Sequence, residues 1–218
     1  MASDDSRRRR SGRLSAAERR AQLVEVGRAL FAERGFEATS VEEIADRAKV
    51  SKPIVYEHFG GKQGLYAVVV DREVEHIVAR ITEAVAEGSP RERLEAAVIA
   101  YLAYVQERPD GFAVLLRDAP HSKRSGGMPA LMYDLADRVG DVFADMFRAA
   151  GYDAKAAPIY AHALVGMVAF VGQWWTEARK PPPAEVVASH VAALGWMGLR
   201  HLPKKPAIQR RRVRTDRK

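Results

Sequence analysis

The sequence predicts an all-α protein built from nine helices. Apolar residues recur at spacings of three and four, as on one face of a helix, and no segment shows a strand pattern of consequence. A serine three residues before a glutamate, as at Ser15 and Ser40, marks helix starts by the capping-box pattern. Glycine and proline, as at Gly35 and Pro90, mark helix ends and further helix starts.

The first three helices are closely spaced, and the second and third are short. The first begins after Ser15 and ends near Arg34, because Gly35 favours a left-handed backbone that stops a helix. Ser40 caps the second helix. Ser51 caps the third after a two-residue turn, and a proline in its first turn costs no hydrogen bond. The inward residues predicted for these helices are Leu23, Val26, Leu30, Phe31, Val41, Ile44, Ala45, Ala48, Val55 and Phe59.

Six further helices follow, again bounded by glycine and proline. The predicted bounds are residues 61 or 62 to 88, a start at Pro90, 112–116 after the break at 109–111, 131–150, 153–179 and 184–202. The segment 119–129 is rich in Gly, Ser and Pro and predicts a mobile loop. Residues 156–176 lack formal charge and are long enough to span a bilayer, but Pro158, His162 and Gln173 favour a buried helix instead.

The net charge of +7 is concentrated at the two ends of the chain. Residues 1–13 carry +3 and residues 203–218 carry +7, so that residues 14–202 carry −3. A mildly acidic body with basic tails predicts a polyanionic partner, most simply DNA phosphate. Cysteine is absent, which excludes disulfides, thiolate zinc sites and cysteine nucleophiles and agrees with a reducing cytoplasm.

Residues 36–66 carry the strongest functional signal. They predict two short helices joined by a tight turn, with another helix starting directly afterwards. A short helix whose apolar side is fixed, and whose N-terminal end is polar, has the shape that enters a DNA major groove. The side chains expected to face outward from it are Lys52, Pro53, Ile54, Tyr56 and His58.

Several short motifs in this region resemble one known family. They are Gly35-Phe36, Thr39-Ser40-Val41, Ile44-Ala45, Val50-Ser51, Val55-Tyr56, His58-Phe59 and Lys62. Together with the number and order of the helices, they resemble the TetR/AcrR family of bacterial transcriptional regulators, and residues 50–72 are similar to actinobacterial members that govern lipid metabolism. The resemblance implies a TetR-like homodimer, whose N-terminal domain binds a palindromic operator and whose C-terminal domain binds a small effector.

The resemblance also implies a role for each residue of the DNA-binding set. Lys52, Pro53 and Ile54 are expected at base edges, and the others at phosphates, where helix N-termini and lysine attract anions. The set is Thr39, Ser40, Ser51, Lys52, Pro53, Ile54, Tyr56, His58 and Lys62. Gly60 and Gly61 stand where many relatives carry a capping Ser or Asn, which leaves backbone N–H groups to meet the phosphate.

Aromatic and methionine side chains are frequent in the fifth to eighth helices. Most suit an ordinary core, but such side chains also line adaptable apolar cavities, and basic side chains near the loop would receive an anionic end. Two effector types fit: a fatty acyl or acyl-CoA molecule, which we favour, or a nucleotide. The predicted ligand-binding residues are Tyr101, Phe112, Leu116, Arg117, His121, Met132, Phe147, Met167, Phe170 and Trp174.

The predicted organisation is a basic arm, a helix-turn-helix domain, a ligand-binding and dimerisation domain, and a basic tail. Their bounds are 1–13, 14–60, 61–202 and 203–218. The last two helices are apolar nearly all round, which predicts burial against a partner subunit. The leading interpretation is a cytoplasmic, nucleoid-associated repressor without cofactor, metal, membrane anchor or enzymatic activity. The alternative is an architectural DNA-binding protein that has no effector.

Overall fold

The computed structural model describes residues 14–116, 128–204 and 206, and gives only the backbone of residues 128–131. These residues form nine α-helices and one 3-10 helix and no strand, which confirms the predicted all-α class. The α-helices are α1 (Ala16–Ala38), α2 (Val41–Ala48), α3 (Lys52–Phe59), α4 (Lys62–Ala84), α5 (Pro90–Glu107), α6 (Pro109–Leu116), α7 (Met128–Ala150), α8 (Ala157–Glu177) and α9 (Ala184–Arg200).

The local signals at the first helices act as predicted. The Ser15 hydroxyl accepts from the backbone N–H of Glu18, whose carboxylate accepts from the Ser15 backbone in return. Gly35 has φ 80° and ψ 170°, so it interrupts α1, and the last three residues of α1 form a separate turn. Lys49, at the turn between α2 and α3, has a left-handed backbone with φ 54° and ψ 47°.

Two predicted helix boundaries are wrong. Helix α4 ends at Ala84, before Gly88, whose φ of +101° lies in the turn that leads to the Ser89 cap of α5. Pro109 does not break the chain but opens α6, because the first position of a helix needs no N–H donor. The break lies at Arg108, with φ −130° and ψ 57°.

The remaining boundaries differ by a few residues. Asp153 caps a 3-10 helix, Ala154–Ala156, from which α8 continues. Helix α7 begins at Met128, so the end of the predicted loop 119–129 is helical. The rest of that loop lies outside the described residues, as do the basic arm and nearly all of the basic tail.

One hydrophobic core connects the N-terminal helices to the rest of the chain. It begins with Leu23 and Phe31 of α1, continues through Leu65 and Ile77 of α4 and reaches Val187 of α9. Helix α1 packs against both α4 and α6, while α5 lies against α4 and α9, and α7 packs mainly on α8. The position of the first three helices therefore depends on α4 and α6.

Candidate nucleic-acid interface

Helix α3 presents a polar N-terminal surface above a buried anchor. Val55 is fully buried, whereas Ser51, Lys52 and Pro53 are exposed and Tyr56 is 55% exposed. Ser51 occupies the N-cap position, but its side chain makes no capping hydrogen bond. Its hydroxyl thus has no structural task at the helix start.

Two residues predicted to face outward from α3 are only partly exposed. Ile54 is half-buried and packs against the core, and His58 is also half-buried, with its ring 6.1 Å from that of Phe59. A half-buried Ile54 still presents an edge of its side chain at the start of α3.

Lys52 forms an ion pair with Glu42, a residue that the sequence analysis did not single out. Both side chains are more than half exposed, and the Lys52 ammonium donates to the Glu42 carboxylate across the two helices of the motif. This hydrogen bond lowers the pKa of Glu42 and raises that of Lys52, so both are charged at neutral pH. The Glu42 carboxylate therefore competes with a base or phosphate for the Lys52 ammonium.

The start of α2 uses its polar side chains internally. Ser40 is half-buried and forms a complete capping box with Glu43. Thr39 is 1% exposed, and its hydroxyl donates to the Gly35 carbonyl at 2.7 Å. Thr39 thus stabilises the end of α1, and this geometry leaves no exposed side-chain atom for the predicted phosphate contact.

Lys62, the first residue of α4, reaches back to the end of α1. Its Nζ lies 2.9 Å from the Phe36 carbonyl oxygen, 3.4 Å from the Glu37 carbonyl oxygen and 4.3 Å from the centre of the Phe36 ring. The lysine therefore joins α4 to the interrupted end of α1, a role that the sequence did not indicate.

Glycines control how α3 meets α4. Gly60 and Gly61 both have positive φ, 69° and 119°, and form the turn between the two helices. A Cβ on Gly64 would overlap the Phe59 carbonyl, so the backbones of α3 and α4 touch directly at this position. The close approach fixes α3 to the first turn of α4.

The predicted ligand-binding residues fall into separate groups. Tyr101 and Phe112 are buried with their rings 6.2 Å apart, and the Tyr101 hydroxyl donates to the Ala169 carbonyl at 3.4 Å. Phe147 packs instead against Tyr152 and Tyr160, and none of the described ring pairs joins it to Tyr101 or Phe112.

The other predicted ligand-binding residues lie elsewhere. Met132 and Met167 are half-buried and pack against the core, whereas Leu116 is 36% exposed. Phe170 and Trp174 point towards solvent, 74% and 51% exposed, so they do not line an interior cavity of the single chain. Arg117 and His121 lie outside the described residues.

Helices α8 and α9 carry an exposed apolar face. We use the name α8–α9 face for the large apolar residues on these two helices that are more than half exposed. They are Ile159, Phe170, Trp174, Leu194 and Met197. One helical segment, Ala154–Glu177, is long and apolar enough to cross a membrane, with only 11% of its most apolar stretch buried. The expected burial of this helix is thus not achieved within one chain.

Comparison with known proteins gives consistent matches over both parts of the chain. Residues 23–69 match a family model described as bacterial regulatory proteins of the TetR family, and residues 80–210 match one described as a tetracyclin repressor-like C-terminal domain. The chain is 30% identical over 198 residues to the HTH-type transcriptional activator FasR of Mycolicibacterium smegmatis, covering 89% of each protein.

Further relatives match in part or in fold. The HTH-type transcriptional repressor KstR2 of Rhodococcus jostii is 30% identical over 104 residues, which are 47% of this chain and 51% of KstR2. A TetR-like transcriptional regulator from Rhodococcus sp. RHA1, solved by crystallography, superposes with a TM-score of 0.68 at 28% identity, over 87% of this chain and 100% of that one.

Proposed function

Because the chain belongs to the TetR family of bacterial transcriptional regulators, we propose that it is a ligand-responsive repressor that binds a palindromic operator as a homodimer. The family consists of DNA-binding regulators and not of enzymes, and its members act in the cytoplasm. Association with the nucleoid is part of the proposal.

The observation that carries the DNA-binding role is the exposed start of α3. Ser51, Lys52, Pro53 and Tyr56 are all exposed there, above a fully buried Val55 that holds the helix in place. Such a short helix enters the major groove with its N-terminal residues at base edges. Lys52, Pro53 and Ile54 would meet bases, while Ser40, Ser51, Tyr56, His58 and Lys62 would meet phosphates.

The α8–α9 face supports the homodimer. Isolated exposed apolar side chains are ordinary on a protein surface, but five large ones on two consecutive helices favour an interface. A twofold interface brings the same residues of both copies together and covers the face of each copy. It also places two α3 helices on one DNA molecule, as a palindrome requires.

The proposed effector is a fatty acyl or acyl-CoA molecule, with a nucleotide as the second type. Tyr101 and Phe112 support an apolar site between α5, α6 and α8, since both are buried and Tyr101 lies against the small residue Gly172. Burial raises the pKa of Tyr101, so its hydroxyl stays protonated, and it would donate to a ligand by leaving the Ala169 carbonyl. Arg117 and His121 would receive an anionic end.

Activation of transcription is the alternative to repression. FasR, which matches over 89% of this chain, is called an activator, whereas KstR2 is called a repressor. An activator would use the same DNA contacts upstream of a promoter. A reporter gene driven by the bound promoter distinguishes the two, because deletion of a repressor raises expression and deletion of an activator lowers it.

The test of DNA binding is selection of duplexes from a random pool by the full-length protein. A palindrome with half-sites about one helical turn or more apart, bound by one dimer, is the expected result. Selection without any sequence preference would favour an architectural protein that coats DNA through its basic ends. Native mass spectrometry of protein purified from its own host then identifies a retained effector by its mass.

A further inference from the structure

Glu73 is the one buried charged side chain among the described residues, and it lies in the middle of α4. It is 2% exposed. Arg108 donates to both of its oxygens, from Nε at 2.9 Å and from Nη2 at 2.6 Å, and the Tyr104 hydroxyl donates at 3.1 Å. Burial raises the pKa of Glu73, but the bonds from Arg108 outweigh it and hold the pKa below its usual value. The carboxylate is therefore ionised.

A second guanidinium approaches the same carboxylate from the DNA-binding domain. Nε of Arg28, on α1, lies 4.0 Å from the nearer Glu73 oxygen. This nitrogen is buried and has no hydrogen-bond partner in the described part of the chain, while the Nη2 of Arg28 pairs with the exposed Glu25. A buried donor without a partner costs about 1–3 kcal/mol, so the arrangement favours any small movement that brings the two groups together.

The surroundings of Glu73 connect it to α6 as well. A Cβ on Gly111 would overlap the carboxylate, so the backbone of α6 lies directly on it. Arg108 lies at the end of α5, and its carbonyl accepts from the N–H of Phe112 at 3.0 Å. Through this hydrogen bond, displacement of α6 moves Arg108. Phe112 is also a proposed effector-site residue, so an effector would act on this link.

We propose that Glu73 is a positioning residue for operator binding, whose carboxylate joins Arg28 of the DNA-binding domain to Arg108 of the ligand domain and so fixes the orientation of α3 on each subunit. This inference rests on the proposed function and deepens it. In this geometry Arg108 holds the carboxylate at 2.6 and 2.9 Å, whereas Arg28, at 4.0 Å, lies beyond hydrogen-bond reach. When α6 moves and draws Arg108 away, Glu73 pairs with Arg28 instead. This new ion pair shifts α1 towards α4.

The spacing between the two recognition helices is the property that this cluster controls. Both half-sites must be contacted at once, and one inserted base pair moves a half-site by about 3.4 Å along the DNA. A protein with fixed heads rejects such an operator. A protein whose heads pivot accepts it, and at the same time loses affinity for the correct spacing.

The experiment compares Glu73→Gln and Arg28→Gln with two control variants. Glu107→Gln removes an exposed ion pair with Arg80 that joins the same helices, α4 and α5. Glu25→Gln removes the exposed partner of Arg28 and a weaker attraction to Arg108. Each is titrated, as a folded dimer, with the operator selected by the parent protein, with versions carrying one base pair more or fewer between half-sites, and with scrambled DNA.

We expect Glu73→Gln and Arg28→Gln to lose about tenfold or more in affinity for the correct operator, equivalent to about 1.4 kcal/mol, while affinity for scrambled DNA stays unchanged. In both variants, affinity should differ less between the correct operator and operators with one base pair more or fewer. Arg28→Lys, which keeps the charge, should restore part of that difference. Both controls should behave as the parent.

The inference is overturned if folded Glu73→Gln keeps the parent's affinity and spacing preference. If that variant does not fold, Arg28→Gln decides, because it leaves the bonds of Glu73 to Arg108 and Tyr104 intact. A loss that is equal on operator and scrambled DNA would also overturn it, since positioning acts only where two half-sites must be met. If the parent itself selects no palindrome, the proposed function fails first.

Discussion

Replacement of Leu194 by glutamate should dissociate the proposed homodimer. Leu194 is 66% exposed on α9, within the α8–α9 face. Full burial of a leucine side chain contributes about 1.5–3 kcal/mol, so covering two thirds of it contributes about 1–2 kcal/mol. A twofold interface buries two copies, which doubles the effect to about 2–4 kcal/mol. At about 1.4 kcal/mol for each tenfold change, the dimer Kd should rise by about 30-fold to 700-fold.

The magnitude is a lower bound, because a carboxylate placed in an apolar interface adds a desolvation cost. Sedimentation equilibrium over a range of protein concentrations measures the Kd. Val142→Glu is the matched control, since Val142 is 57% exposed but lies on α7, outside the α8–α9 face. An unchanged dimer Kd for Leu194→Glu, or an equal increase for Val142→Glu, would place the interface elsewhere.

Three further changes test the proposed DNA-binding surface of the protein. Glu42→Gln should raise affinity for unrelated DNA by a few-fold and reduce operator selectivity, because Lys52 loses its competing carboxylate; Glu107→Gln should leave both affinities unchanged. Deletion of residues 207–218 should flatten the salt dependence of binding by about 0.9 in log–log slope for each phosphate that the tail neutralises in the parent, and an identical slope would show that the tail does not touch DNA. Lys62→Ala should weaken binding to operator and unrelated DNA equally, since phosphate carries no sequence information; a loss confined to the operator would contradict a phosphate role.

Structural features that depend on residues close together in the sequence were predictable. The capping boxes at Ser15 and Ser40 and the interruption at Gly35 each depend on contacts within about four residues, so the local pattern contains them in full. The number and order of helices follow from the same signals. The prediction that Pro109 breaks the chain was wrong, because proline occurs both after a helix and at the first position of the next one.

Features that depend on distant residues were not predictable. Glu73 is 35 residues from Arg108, and nothing local to α4 distinguishes it from the exposed glutamates nearby. The pairing of Lys52 with Glu42 and the inward rotation of Thr39 depend on how helices pack. Phe170 and Trp174 were assigned to a cavity because apolar residues suit a cavity and a subunit interface equally well.

The contact between Gly64 and the Phe59 carbonyl limits how this regulator can diversify. Any side chain at position 64 would push the recognition helix off its support, so the position is closed to the other nineteen amino acids while the exposed residues of α3 remain open to change. With α3 at base edges as proposed, mutation can change the bases that are recognised and leave the packing of the helix intact. For engineering, α3 and the first turn of α4 form a single exchangeable cassette, and grafting new operator specificity onto this chain should transfer both together.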